Sequence, residues 1–321
     1  MYSHVRFVFY ETDTHQQYRP SCLPKPVDFG TEARIRAQYL LEVARFIAKK
    51  IADDPVTVNG TVLNVFLAPE FYFRSSQGQQ SGHNHYGHFD VQQAQNSIKD
   101  AVRGDSLFND WLLVPGTAVY SKKTFDSQGS FKYVIFSEAY AVARVSAQVT
   151  TGNQLFHWTC MKQDFSDVDH LDNDVNAMST GKTSAQHAHR QIISVGGLEI
   201  GIEICLDHRS EVLKTTAVAQ QPARNVDIQL LPACGMDAIP TSVAARTGGY
   251  VLRCNGNNYQ PPRGKAYQVG AWPNGHPTAG TAPILTEIDT GILVYTLPST
   301  LQINPSPWIP DRVGYLRPQP L

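Results

Sequence analysis

Gly201-Ile202-Glu203-Ile204-Cys205-Leu206-Asp207-His208-Arg209 decides how this chain is read. The apolar run from Leu198 to Ile204 is interrupted at Glu199, Gly201 and Glu203, and it ends on a thiol. Turn-prone and charged residues follow at once. That is the pattern of a buried strand delivering a cysteine to its carboxyl end, where α/β folds place their chemistry. A thiol there is either a small buried hydrophobe or a nucleophile. The choice turns on whether the chain also supplies a base, a cation and an oxyanion site.

Two other stretches end in the same way. Asn64-Val-Phe-Leu-Ala-Pro-Glu70 puts a carboxylate after a buried strand, and Phe156-His-Trp-Thr-Cys-Met-Lys162 puts an amine after another. Residues that emerge where strands stop can meet above one sheet edge. As a set they work. A free thiol with a pKa of ~8.5 is only a few per cent thiolate at neutral pH, so it needs a base. Glu70 can take the proton and return it to a leaving amine. The Lys162 ammonium can stabilise a thiolate and the oxyanion of a tetrahedral intermediate, with the Leu206 N–H as a second donor. The sequence therefore predicts acyl transfer from an amide to Cys205, then hydrolysis of the thioester.

Around these stretches, periodicity predicts strands at Val5–Tyr10, Leu63–Ala68, Leu112–Val119 (broken by Pro115) and Asp227–Pro232. Tyr133–Val145 is expected to pair with Phe156–Met161. Gln191–Val195 and Leu198–Cys205 read as a hairpin through Gly196-Gly197. Helical spacing covers Thr31–Ala52 and Val91–Arg103, and helices are also expected from Glu211 and over Pro240–Thr247, the latter followed by a strand at Tyr250–Asn255. Ala282–Asp289 and Ile292–Leu297 read as a late hairpin. Residues 74–90 and 163–190 are long polar insertions. Strands alternating with helices, with hairpins intruding, favour a layered α/β fold with mixed sheets. One domain over residues 1–303 is expected, with 304–321, which hold five prolines, as an extended C-terminal arm.

Composition narrows the classes. The chain has 321 residues, 42% hydrophobic and 17% charged, with a formal net charge of -1. It carries no bulk electrostatic case for nucleic acid or for an anionic membrane. No apolar run approaches the ~20 residues that span a bilayer, and the N-terminus has no basic segment leading into a long apolar core. Five scattered cysteines without a C-x-x-C spacing suggest neither a zinc ribbon nor a disulfide framework, so a cytoplasmic protein with reduced thiols is expected.

Competing motifs are weaker. Ser179-Thr-Gly-Lys182-Thr-Ser184 resembles a phosphate loop, but the required first glycine is replaced by Asn176. His83, His85 and His88 have metal-compatible spacing without a supporting element or carboxylate pair, so no metal is expected. Cys205 and His208 imitate a thiol–imidazole pair, yet residues three apart rarely meet at a strand-to-helix elbow. Asp207 and Arg209 are expected to form an ion pair. Glu203 is expected to face away from Cys205 by alternation, or to brace the lysine. Phe71, Tyr72 and Phe73 suggest an aromatic substrate wall, with at least one of them turned into the core. Cys234, Gly235 and Met236 follow a strand end and read as a pocket wall or as an ordinary loop.

The three blocks Leu67-Ala-Pro-Glu70, Met161-Lys162 and Gly201-Ile-Glu-Ile-Cys205-Leu-Asp-His-Arg209-Ser-Glu211 resemble, in that order, the signatures of the nitrilase (carbon–nitrogen hydrolase) superfamily. Trp111-Leu-Leu-Val-Pro-Gly-Thr117, Val226-Asp-Ile-Gln-Leu-Leu-Pro-Ala233 and Arg246-Thr-Gly-Gly-Tyr-Val-Leu-Arg-Cys-Asn255 are similar to its supporting segments. The resemblance implies a four-layer α-β-β-α sandwich, no cofactor, and self-association as a homodimer or higher homo-oligomer. It also implies Glu70 as base, Lys162 as cation and Cys205 as nucleophile. Leu206-Asp207 stands where nitrilases proper tend to carry tryptophan after the cysteine, which leans toward the amidase and carbamoylase side. The substrate expected is a small amide or carbamoyl compound. A nitrile, or a catalytically silent ligand-binding scaffold of the same fold, is the alternative.

Overall fold

The computed structural model describes residues 1–14, 28–54, 61–75, 85–125, 129, 131–165, 178–180, 191–219, 225–257, 264–278, 280–288, 292–298 and 311–321. Its strands form two mixed sheets. The larger takes in β1 (His4–Glu11), β2 (Val62–Leu67), β3 (Tyr86–Gly87), β4 (Trp111–Val114), β5 (Thr117–Phe125), β6 (Phe131–Val145), β7 (Gln154–Met161) and β8 (Met178–Thr180). The smaller holds β9 (Ile192–Val195), β10 (Leu198–Ile202), β11 (Val226–Ala233), β12 (Ala245–Asn255), β13 (Gly264–Val269) and β14 (Leu285–Glu287). The chain then returns to the larger sheet with β15 (Ile292–Thr296), β16 (Arg312–Leu316) and β17 (Gln319–Pro320).

The alternation of side chains along the strands explains the layers. Val5, Phe7 and Phe9 of β1 and Leu63, Val65 and Leu67 of β2 share a core with Ile200, Ile202, Ile228, Leu230 and Leu252 of the smaller sheet. The opposite faces, with Val8, Tyr10 and Phe66, pack on helices α1 (Phe29–Ala52) and α2 (His88–Gly104). On the far side of the smaller sheet, Leu213 and Ala217 of α4 (Val212–Ala219) pack with Val226, Val251 and Val269. The order is helices, sheet, sheet, helix, the sandwich expected. A short helix α3 (Leu206–Arg209) precedes α4. No helix among the described residues is long and apolar enough to cross a membrane.

Gly201 shows how closely the outer layer sits. A Cβ there would lie 2.6 Å from Leu213 Cδ2, so the glycine lets α4 pack directly on β10. The β9–β10 hairpin turns through Gly196 and Gly197, both at positive φ (56° and 89°), as a tight primed turn demands.

Three expectations need correction. Pro240–Thr247 is not a helix: a single 3-10 turn, Pro240–Ser242, leads into β12, which begins at Ala245. Gly248-Gly249 propagates a helix poorly, and pairing with β11 and β13 decides the conformation. The late hairpin does not form either, because β14 pairs with β13 while β15 pairs with β16 in the other sheet. Alternation tells a strand's faces but not its partner. Finally, the C-terminal stretch is no separate arm where it is described. β16 lies between β15 and β1, and β17 also pairs with β1. Its prolines fall outside the central part of β16, so Val313–Leu316 can enter the sheet.

Candidate active site

The ends of β2, β7 and β10 converge. Beyond β2 the chain turns sharply: the Glu70 N–H donates to the Ala233 carbonyl of the smaller sheet (3.3 Å), and the Thr14 hydroxyl donates to the Glu70 carbonyl (2.5 Å). Phe71 adopts a positive φ of 64°, and its N–H donates to Thr117 Oγ1 (2.8 Å). A buried ion pair within α1, Glu32 with Arg36 at 3.0 Å, holds the turn from behind, for Arg36 also donates to the Tyr72 carbonyl (2.9 Å).

Lys162 leaves the end of β7 with its N–H on the Ser137 carbonyl (2.9 Å). Its Nζ lies 2.8 Å from Glu70 Oε1, and both side chains are fully buried. Burying each of these charges costs several kcal/mol, which only close pairing and further hydrogen bonds offset. The ammonium also faces the rings of Phe71 and Phe165, 5.6 and 5.9 Å from their centroids, an added stabilisation of the cation.

Cys205 sits where β10 gives way to α3, at φ 44° and ψ -105°, a region a non-glycine residue occupies only when its surroundings enforce it. The Cys205 N–H donates to the Pro232 carbonyl (3.1 Å), anchoring the elbow to β11. The thiol donates to the Cys234 carbonyl (4.0 Å), with Glu70 and Lys162 as its charged neighbours. Burial pushes the thiol well above its ordinary pKa and the Glu70 carboxylate adds to the rise, while Lys162 opposes it. The resting thiol is therefore protonated. Leu206 is the first residue of α3, where a backbone N–H has no intrahelical acceptor.

The aromatic wall is corrected in part. Phe71 belongs to the site, packed with Val119, Ile135 and Cys234. Tyr72 and Phe73 turn the other way into the helix-side core, the Tyr72 hydroxyl donating to the Arg36 carbonyl (3.0 Å). The positive φ at Phe71 sends the next two side chains to that face. Cys234 borders Cys205 through its carbonyl. Gly235 is exposed, with its N–H on Asn255 Oδ1 (2.7 Å), and Met236 packs half-buried against the core between the sheets.

The residues flanking Cys205 form a brace of their own. Glu203 does not touch Lys162. It accepts the Leu213 N–H (2.7 Å) and the Gln229 amide (2.9 Å), and it lies 2.8 Å from His208 Nδ1. The Ile239 N–H donates to His208 Nε2 (2.8 Å), so His208 carries its proton on Nδ1 and gives it to Glu203. With both ring nitrogens engaged, His208 is no base for the thiol. The expected Asp207–Arg209 pair is absent: Asp207 accepts backbone N–H groups of Gln163 and Asp164 instead, and Arg209 is exposed.

Two site features had no signature in the sequence. Arg74 is buried, with its guanidinium 3.7 Å from the Phe71 ring centroid, and its charge reaches Cys234. Thr14 holds the Glu70 carbonyl from a strand end 56 residues away. An open groove of about 580 Å³, lined by Gln92, Gln95, Lys99, Tyr140, His157 and Thr159, contains none of the three site residues. Of the candidate metal ligands, His83 lies outside the described residues and His88 packs 5.2 Å from the Tyr120 ring. Among the described residues no cluster of His, Cys, Asp and Glu side chains could hold a metal ion. Of the phosphate-loop-like stretch, Ser179 and Thr180 lie in β8 and the rest falls outside the described residues.

No family model and no curated protein matches this chain. Among solved structures it is similar to an amidase from Nesterenkonia sp., at 15% identity and a TM-score of 0.46, covering 90% of each chain. A cysteine-to-serine mutant of the Nesterenkonia AN1 amidase, described as from the nitrilase superfamily, aligns at 16% identity and a TM-score of 0.46 over 89% of this chain and 92% of that one. An N-terminal amidase with a Gln-Gly peptide aligns at 10% identity and a TM-score of 0.33, covering 72% of this chain and 48% of the other.

Proposed function

We propose that this chain is a thiol-dependent hydrolase of a non-peptide C–N bond, an amide or carbamoyl compound, of the nitrilase superfamily kind. The observation that carries the reading is the buried triad. Glu70 and Lys162 are 2.8 Å apart with no solvent exposure, and the Cys205 thiol lies within the field of both charges on a strained elbow. A purely structural site gains little from two buried charges and a left-handed cysteine, whereas acyl transfer uses all three.

The steps follow from the positions. As the Cys205 sulfur attacks the carbonyl carbon, Glu70 takes the thiol proton. The tetrahedral oxyanion is stabilised by Lys162 and the Leu206 N–H. The C–N bond breaks as Glu70 hands the proton to the leaving amine, which leaves a thioester on Cys205. Water then attacks the thioester, Glu70 takes its proton, and the acid departs as the sulfur is reprotonated.

The test is turnover of a panel of small amides, carbamoyl compounds and nitriles, read as ammonia or amine release, together with intact-mass detection of an acyl adduct. Turnover of an amide that is lost in Cys205→Ala, with an adduct confined to Cys205, is the expected result. Full activity in Cys205→Ala would sink the mechanism. Acid and ammonia from a nitrile without turnover of the matching amide would move the substrate class to nitriles. No turnover and no adduct with an electrophilic amide analogue would leave a silent scaffold.

A further inference from the structure

Asp207 lies two residues after the nucleophile, in the first turn of α3, and is fully buried. Its carboxylate accepts the Gln163 N–H with both oxygens (2.9 and 3.1 Å) and the Asp164 N–H with one (2.7 Å). These are the two amides that directly follow Lys162. On the other side, the Lys162 N–H is fixed to β6 through the Ser137 carbonyl. The amine-bearing backbone is thus tied at its start to its own sheet and at its end to the nucleophile elbow of the other sheet.

We infer that Asp207 is a positioning residue for Lys162, which registers the amine against the Cys205 sulfur through two residues of covalent chain and three hydrogen-bond contacts. The inference rests on the proposed hydrolase reading for its catalytic meaning. The chemistry of the clamp is specific to aspartate. Two consecutive peptide N–H groups outside a regular strand need acceptors, and the Asp207 carboxyl oxygens meet them with short bonds that oppose the strong rise burial gives its pKa. Asparagine in the same place would turn an NH2 group toward one of these donors. An apolar residue would leave both half-buried amides without these acceptors. The side chain is also too short and too committed to the backbone to serve as a second base.

The test is a double-mutant cycle over wild type, D207N, K162M and D207N/K162M, with folding checked by circular dichroism and melting temperature. Two readouts are taken: kcat and KM on a turned-over amide, and the pH dependence of Cys205 alkylation by iodoacetamide, which needs no substrate. Expected for D207N is a kcat lower by roughly tenfold to a hundredfold, as when a supporting partner is removed, with little change in KM. Its alkylation profile moves in the same direction as that of K162M. In the K162M background, D207N adds less than about a threefold effect, because the partner it positions is gone. Multiplicative effects of the two substitutions, or a D207N kcat within about threefold of wild type, overturn the inference. Should D207N not fold, D207E, which keeps both acceptor oxygens on a longer stem, takes its place in the same cycle. If no amide is turned over, or C205A stays active, the hydrolase reading fails. The alkylation cycle then still decides whether Asp207 acts through Lys162.

Discussion

Cys160 and Cys205 occupy the same core between the two sheets, and burial pushes both thiols above the ordinary range. There the likeness ends. Cys160 lies within β7, donates to the Ile202 carbonyl (3.5 Å), and its electrostatic neighbours are the acids Asp207, Glu203 and Glu138. Cys205 stands past the end of β10 on a left-handed backbone, within the fields of both Glu70 and Lys162. Burial alone therefore makes an inert thiol. A poised one needs a proton acceptor, a nearby cation and an elbow that exposes the sulfur at a strand end.

The contrast can be broken at several points. The largest effect is expected from Cys205→Ala, which should lower amide turnover by about 10⁴-fold or more, measured as ammonia release, because the attacking sulfur is removed. Lys162→Met should cost about 10²- to 10³-fold in kcat, the usual loss for one oxyanion donor. Alkylation of Cys205 in the free enzyme should climb with pH and show no plateau below about pH 9. The folded thiol titrates above its free value, so the thiolate becomes populated only as pH rises past the ordinary thiol range. A plateau near neutral pH would mean a preformed thiolate and would erase the distinction drawn here. Gly201→Ala should destabilise the fold by about 1–3 kcal/mol in denaturant unfolding, since its methyl group meets Leu213. Cys160→Ala is expected to leave kcat within about twofold and to cost about 1–2 kcal/mol of stability, the signature of packing alone.

The sequence made the triad legible because each member ends an apolar run, and a strand end is a position that alternation and turn residues mark. The β9–β10 hairpin was legible for the same reason, through its paired glycines. What stayed hidden depends on partners rather than on periods. Tyr72 and Phe73 leave the site because one residue, Phe71, takes a positive φ. Asp207 finds its partners in main-chain amides, which have no residue type to recognise. Glu203 and His208 look like chemistry in the sequence, yet they are satisfied by each other and by the Leu213 and Ile239 amides. β14 and β15 have the look of a hairpin, but they are claimed by different sheets.

The pairing of β1 with β16 and β17 has a consequence in time. Residues 4–11 take Val62–Leu67 on one edge and residues 312–320 on the other. At a synthesis rate of ~5–20 residues per second, the about 300 residues between the two partners take on the order of 15–60 s to emerge from the ribosome. Throughout that interval β1 presents one open edge, rich in valine and phenylalanine. The larger sheet is therefore completed only after β16 and β17 have been made, and until then the unpaired edge of β1 is open to aggregation.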